Sequence, residues 1–172
     1  MSMVFRKATQ ADLPDLISMY RRLTDHMENN GVHIWDEYYP CPLLEGDITC
    51  GRLYAIFDGD EPVGAFALCA ESAGAQQVQW EEQDARAFYI ERLGVGVDHL
   101  RKGVASRLVK GGAERAREQG ADYLRLFAAL NNPASLGLYR KCGFRQAQGI
   151  YREVIDPTWT LEEYGFELPL NQ

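Results

Sequence analysis

The stretch Tyr89–Leu108, YIERLGVGVDHLRKGVASRL, constrains this chain more than any other part of it. An apolar, strand-like run ends in a short basic turn containing glycine, and an amphipathic helix pattern follows at once. A turn of that kind leaves the first backbone N–H groups of the helix unpaired and pointing outward, where the helix dipole adds partial positive charge. That combination suits a phosphate or pyrophosphate. Arg101 and Lys102 precede Gly103 and add full charges, while Gly103 and Ala105 are small enough for a ligand to approach the backbone. The turn therefore predicts an anion site.

The rest of the chain reads as strands and helices arranged around that turn. Val4–Ala8 reads as a strand. Thr9 with Asp12 three residues on has the spacing of a helix start, and Leu13, Leu16, Ile17, Tyr20 and Leu23 recur at helical period until Asn29, Asn30 and Gly31. The segment His33–Asp47 is aromatic and punctuated by proline, with a short helix expected over Leu43–Thr49. Leu53–Phe57 and Val63–Cys69 flank an acidic turn and predict a hairpin. Glu71–Arg86 reads as a loop or a frayed strand extension around Trp80. A strand over Ala87–Val97 is followed by a helix over Arg101–Gln119, with Val104, Leu108, Gly112 and Ala116 on one face and Gly120 as its stop. Tyr123–Leu130 predicts a strand and Pro133–Lys141 a helix, and strands over Phe144–Arg152 and Tyr164–Leu170 close the chain. This order predicts one α/β domain over residues 1–172, built on a mixed sheet.

Composition narrows the function. With 172 residues the chain can bury a core without disulfides or metal. Its net charge of −7, from 25 acidic against 18 basic residues, argues against general nucleic-acid binding and is compatible with a cationic substrate. Cys41, Cys50, Cys69 and Cys142 form no CxxC pair and predict free thiols in a reducing compartment. His26, His33 and His99 lack metal-ligand spacing, so no metal is expected. Neither a signal peptide nor a membrane span is expected, and cytoplasm is the predicted location.

A second signal lies downstream, in NNPASLGLYRKCGF over Asn131–Phe144. As a helix, Asn132 caps its start, Ser135 and Tyr139 share a face, and Gly143 ends it. Together with LRKGVA at Leu100–Ala105, this resembles the GNAT superfamily of acyl-CoA-dependent N-acyltransferases. That family carries Q/R-x-x-G-x-G/A at a strand-to-helix turn, and later roughly N-x-x-A-x-x-L-Y-x-K-x-G-F. The resemblance covers essentially the whole chain, including the opening FRKATQADLPDL. It departs at Leu100, where the family has Gln or Arg, and at Ser135, where it has Ala. The resemblance implies a mixed, mostly antiparallel sheet of six to seven strands flanked by about four helices, with a central splayed strand pair.

It also implies roles. Leu93, Val95 and Val97 would line the pantetheine, with the Val95 N–H donating to the thioester carbonyl. Gly94 and Gly96 suit a bulge or a close ligand approach. Arg101, Lys102, Gly103, Val104, Ala105 and Ser106 would hold the diphosphate, and either Arg101 or Lys102 could reach the 3′-phosphate or be plain surface charge. Asn132 would bond the cofactor, cap the helix, or do both, and Ser135 would let the helix lie close to it. Tyr139 matches the general acid that protonates the departing thiolate. Glu91 matches a strand carboxylate used as base, and in a period-2 strand it shares a face with Leu93 and Val95. Its other reading is a solvated carboxylate, or one paired with Arg86 or Arg92. Trp35, Glu37, Tyr38 and Tyr39 lie where the family builds its acceptor pocket, with Glu37 or Asp47 available to a cation, or else simply pack beneath the loop.

The expected activity is transfer of an acetyl group from acetyl-CoA to a primary amine by direct attack in a ternary complex. A small-molecule amine is favoured over a protein N-terminus as acceptor. No histidine neighbours Cys142 in sequence to activate it, which favours a structural thiol over an acyl-enzyme. The alternative is a non-catalytic acyl-CoA sensor or scaffold of the same fold. A P-loop enzyme is disfavoured because G-x-x-x-x-G-K-[ST] is missing. Homodimers are common in the family, and Tyr164–Leu170 offers a strand that could pair across one.

Overall fold

The Thr9–Asp12 spacing does start a helix. In the computed structural model, which describes residues 3–171, the Asp12 carboxylate accepts from the Thr9 N–H at 2.8 Å and from its hydroxyl at 3.1 Å. Arg6 pairs with the same carboxylate at 2.9 Å and pulls its pKa below the ordinary range. After a 3-10 turn over Gln10–Asp12 come α1 (Leu13–Asn29) and α2 (Cys41–Thr49), between β1 (Met3–Lys7) and the hairpin β2 (Leu53–Asp58) and β3 (Glu61–Cys69). Then follow β4 (Ala87–Val95), α3 (Val104–Glu118), β5 (Tyr123–Ala129), α4 (Pro133–Lys141), β6 (Arg145–Gln146), β7 (Tyr151–Asp156) and β8 (Trp159–Pro169). Strand pairing is mixed and mostly antiparallel, with the four helices expected and eight strands among the described residues.

The contacts divide the described residues into two compact units. One runs up to Leu68 and includes Glu91–Gly111; the other comprises Cys69–Ile90 and everything from Gly112 onward. In the first, β1 and β3 both pair antiparallel with β2, and Phe5, Tyr54 and Phe66 stack with centroids 5.6 to 6.1 Å apart. The apolar stripe of α1 buries Leu16, Tyr20 and Leu23, and α2 contributes Leu44 and Ile48.

In the second unit β5 pairs parallel with β4 from Ala87↔Tyr123 to Ile90↔Leu126, and antiparallel with β8 from Tyr123↔Pro169 to Ala129↔Glu163. The parallel register runs no further than Ile90, while β4 itself continues to Val95 and β5 to Ala129. The Glu71–Arg86 loop folds inward: Trp80 is 6% exposed, donates its indole N–H to Ala75 O at 2.9 Å, and packs with Tyr89, Tyr151 and Phe127. Cross-strand partners Arg125 and Glu167 form a buried ion pair. They also hold the same loop by its backbone at Glu82 O and Glu81 N, both at 2.7 Å.

The C-terminal third differs from expectation. Phe144–Arg152 is not one strand, because Gly149 takes a left-handed φ of 94° and separates β6 from β7. A hairpin unites β7 with a β8 longer than Tyr164–Leu170, turning where Asp156 Oδ1 accepts from the Thr158 N–H and hydroxyl, each at 2.7 Å. These strands bring the total to eight rather than six or seven. Within Tyr164–Leu170, β8 has β5 along one edge and pairs with β6 at Phe166 and Glu167 on the other, while β7 pairs with its earlier part.

Candidate active site

The site begins where β4 ends. Gly96 donates its N–H to Val63 O at 2.9 Å and turns the chain into a 3-10 segment over Val97–His99, so the strand stops at Val95 and Val97 leaves it. The helix starts at Val104 rather than Arg101, because Arg101 and Gly103 are both left-handed, with φ of 61° and 81°. Arg101, Lys102 and Gly103 are exposed, whereas Val104 and Leu108 are buried and fix the helix. The first helical bond runs from Arg107 N to Gly103 O, so the amides of Gly103, Val104 and Ala105 precede the ladder. A Cβ on Gly103 would meet nothing within 4 Å, so it is the backbone shape that calls for glycine here. Ser106 continues the exposed side of this first turn. An exposed basic turn whose amides precede the ladder, at the head of a 15-residue helix, has the features a diphosphate site needs.

Within β4, Glu91, Arg92 and Leu93 are half-buried, and Gly94 and Val95 are buried. Arg92 has φ 58°, a left-handed step that breaks the period-2 alternation. The argument that put Glu91 on one face with Leu93 and Val95 therefore does not carry across Arg92. The bulge-like step lies at Arg92 rather than at the glycines. Gly94 is explained by packing: a Cβ there would stand 2.8 Å from Tyr20 Cε1, so glycine makes room for α1 rather than for a ligand. Tyr20 in turn donates its hydroxyl to Arg92 O at 2.6 Å.

The acceptor segment also differs from its reading. Asp47 is fully buried and holds no free charge for a cation. It takes Arg92 through two bonds, at 2.8 and 2.9 Å, and Arg52 at 2.8 Å. Arg92 is held charged, its pKa raised by Asp47 against the opposing effect of burial. Its guanidinium lies 5.8 Å from the Tyr39 ring centroid, and Trp35 packs on Tyr20 at 5.6 Å. Tyr38 is 75% exposed, and Glu37 is exposed without an ion pair among the described residues. Asp36 shapes the segment by accepting from the Tyr38 and Tyr39 amides at 2.8 and 3.1 Å. Arg92 and Tyr20 are the residues that reading along the sequence missed; an arginine inside an apolar strand was the available signal.

The second unit carries the remaining candidates. Asn132 caps α4, its Oδ1 accepting from Ser135 N at 3.4 Å and its Nδ2 donating to Ser135 Oγ at 2.8 Å. Tyr139 is 6% exposed and lies against Phe144 and Phe166 with centroids 5.8 and 6.1 Å away. Burial pushes its phenol pKa well above the ordinary range, so the hydroxyl keeps its proton. Among the described residues nothing hydrogen-bonds that hydroxyl. All four cysteines are free thiols. No cluster of metal-ligating side chains occurs among the described residues, and no helix there is long and apolar enough to cross a membrane.

A family model covers most of the chain. Residues 15–144 match the family model described as the acetyltransferase (GNAT) family. The chain belongs to that family. No curated protein matches it by sequence. Among solved structures, a GNAT-family acetyltransferase from Streptococcus agalactiae superposes with a TM-score of 0.81 at 12% identity, over 99% of this chain and 96% of that one. The PaiA N-acetyltransferase of Thermoplasma acidophilum, in complex with coenzyme A, gives 0.68 at 17%, over 98% and 99%. NAA60 of Arabidopsis thaliana, in complex with a bisubstrate analogue, gives 0.72 at 17%, over 99% of both chains. At such identities the likeness concerns the fold.

Proposed function

We propose that this chain transfers an acetyl group from acetyl-CoA to the amine of a small molecule by direct attack. The single observation that carries the reading is Tyr139, a neutral phenol on a buried ring with its hydroxyl unspent on the protein. In this reading the turn from Arg101 to Ser106 binds the diphosphate, and Leu93 and Val95 bind pantetheine by their backbone. The Val95 N–H faces the oxygen on which negative charge develops. Glu91, acting through water, takes a proton from the ammonium, because only the neutral amine has a lone pair to give. The amine nitrogen bonds to the carbonyl carbon, the carbon–sulfur bond breaks, and Tyr139 gives its proton to the leaving sulfur. The phenolate recovers a proton from the nitrogen as the amide forms, so the products are amide, free thiol and one released proton. Asn132 and Ser135, which bond each other at the start of α4, are the further candidates for contact with the cosubstrate.

The test is free-thiol release from acetyl-CoA over a panel of primary amines, with the acetylated amine identified by mass. Thiol and a product 42 mass units heavier than the amine, in equal amounts, are about what the reaction stoichiometry demands. Calorimetric binding of acetyl-CoA with no release on any amine would instead support the sensor module.

A further inference from the structure

The left-handed step inside β4 is held by the protein itself. A residue with a Cβ resists φ near 58°, yet Arg92 takes it. Its guanidinium forks onto Asp47, Nε to Oδ2 at 2.9 Å and Nη2 to Oδ1 at 2.8 Å, and its carbonyl accepts from Tyr20 at 2.6 Å. Asp47 is a firm anchor because Leu44 and Ile48, beside it on α2, are in the core and Arg52 takes a third bond. Glu91 lies directly before the step, and the Leu93–Val95 backbone directly after it. We infer that Asp47 and Arg92 are positioning residues, whose ion pair holds the left-handed step and so sets how β4 presents Glu91 and the backbone of Leu93–Val95.

The catalytic consequence rests on the acetyl-transfer reading; the clamp itself can be read without turnover. Glycine adopts φ near 58° freely, so Arg92→Gly removes the clamp but allows the step, whereas Arg92→Ala removes the clamp and resists it. Asp47 keeps Arg52 in both variants. Amide exchange over Leu93–Gly96, referenced to the β1–β2 pair, is expected to rise about tenfold or more in Arg92→Ala and by less than about threefold in Arg92→Gly. The kcat is expected to fall about tenfold to a hundredfold in Arg92→Ala, with a smaller change in KM for acetyl-CoA, and to return to within about threefold of wild type in Arg92→Gly. A merely structural pair would affect folded fraction in both variants without that glycine rescue. If Arg92→Ala does not fold, Asp47→Asn, which weakens the fork, carries the same comparison. Equal exchange in the alanine and glycine variants, or equal kcat after scaling for folded fraction, overturns the inference. Wild-type protein that acetylates no amine overturns the acetyl-transfer reading instead, and the exchange comparison then decides the clamp alone.

Discussion

Tyr20 and Tyr139 are both core tyrosines, one in each unit, and burial pushes both phenols well above their ordinary pKa. They differ in what the hydroxyl does. Tyr20 spends its proton on Arg92 O at 2.6 Å and helps shape β4, while Tyr139 bonds nothing among the described residues. Burial therefore does not set these two apart, and the hydrogen bond of the hydroxyl does.

The largest expected effect separates the two. Tyr139→Phe should lower kcat for acetyl transfer about 10²- to 10⁴-fold, the range for loss of a general acid, while acetyl-CoA binding by calorimetry stays within about threefold. Tyr20→Phe should cost less than about tenfold, because it acts only through the backbone of Arg92. Equal losses would break the comparison.

Alkaline stability comes next, and here the two tyrosines should agree. In the unfolded chain each phenol ionises near 10.0, whereas in the fold each stays protonated to higher pH. The folded state then binds more protons, so stability is full below pH 10 and falls as pH rises above it. The loss is about 1.4 kcal/mol per phenol at pH 11. Urea unfolding at pH 9 and 11 should show either phenylalanine variant losing less than wild type over that interval.

At neutral pH they separate again. Tyr20→Phe should destabilise by about 1 kcal/mol through its lost hydrogen bond, and Tyr139→Phe should leave stability unchanged or slightly raised, by the same urea titrations. The smallest effect belongs to Asn132→Ala, which should cost about 0.5 to 1 kcal/mol as a lost helix cap. If Asn132 also bonds the cosubstrate, KM for acetyl-CoA rises in the same variant, and if it only caps α4, KM stays put.

What could be read along the chain followed from local chemistry. The Thr9–Asp12 start, the stop after Asn29, the DGDEP hairpin and the Pro133–Lys141 helix all carry their signals within a few residues. The glycine turn before α3 was legible for the same reason, although its two left-handed residues delay the helix to Val104. What escaped depends on partners far away in sequence. Asp47 reads as a spare carboxylate until Arg92, 45 residues on, takes it, and Gly94 reads as a ligand approach until Tyr20 fills the space. Nothing in a period-2 pattern announces a left-handed arginine, so the face assigned to Glu91 could not be read from alternation. The closing hairpin was hidden by its turn, Asp156–Thr158, whose side-chain bonds define it better than any glycine signal.

One measurement tests the central claim directly: thiol release from acetyl-CoA with the best amine of the panel, run in parallel on wild type, Tyr20→Phe and Tyr139→Phe. The account predicts acetylated amine and thiol in equal amounts from the first two, and at least about a hundredfold slower release from Tyr139→Phe despite near-normal acetyl-CoA binding. Release from Tyr139→Phe at the wild-type rate would contradict it.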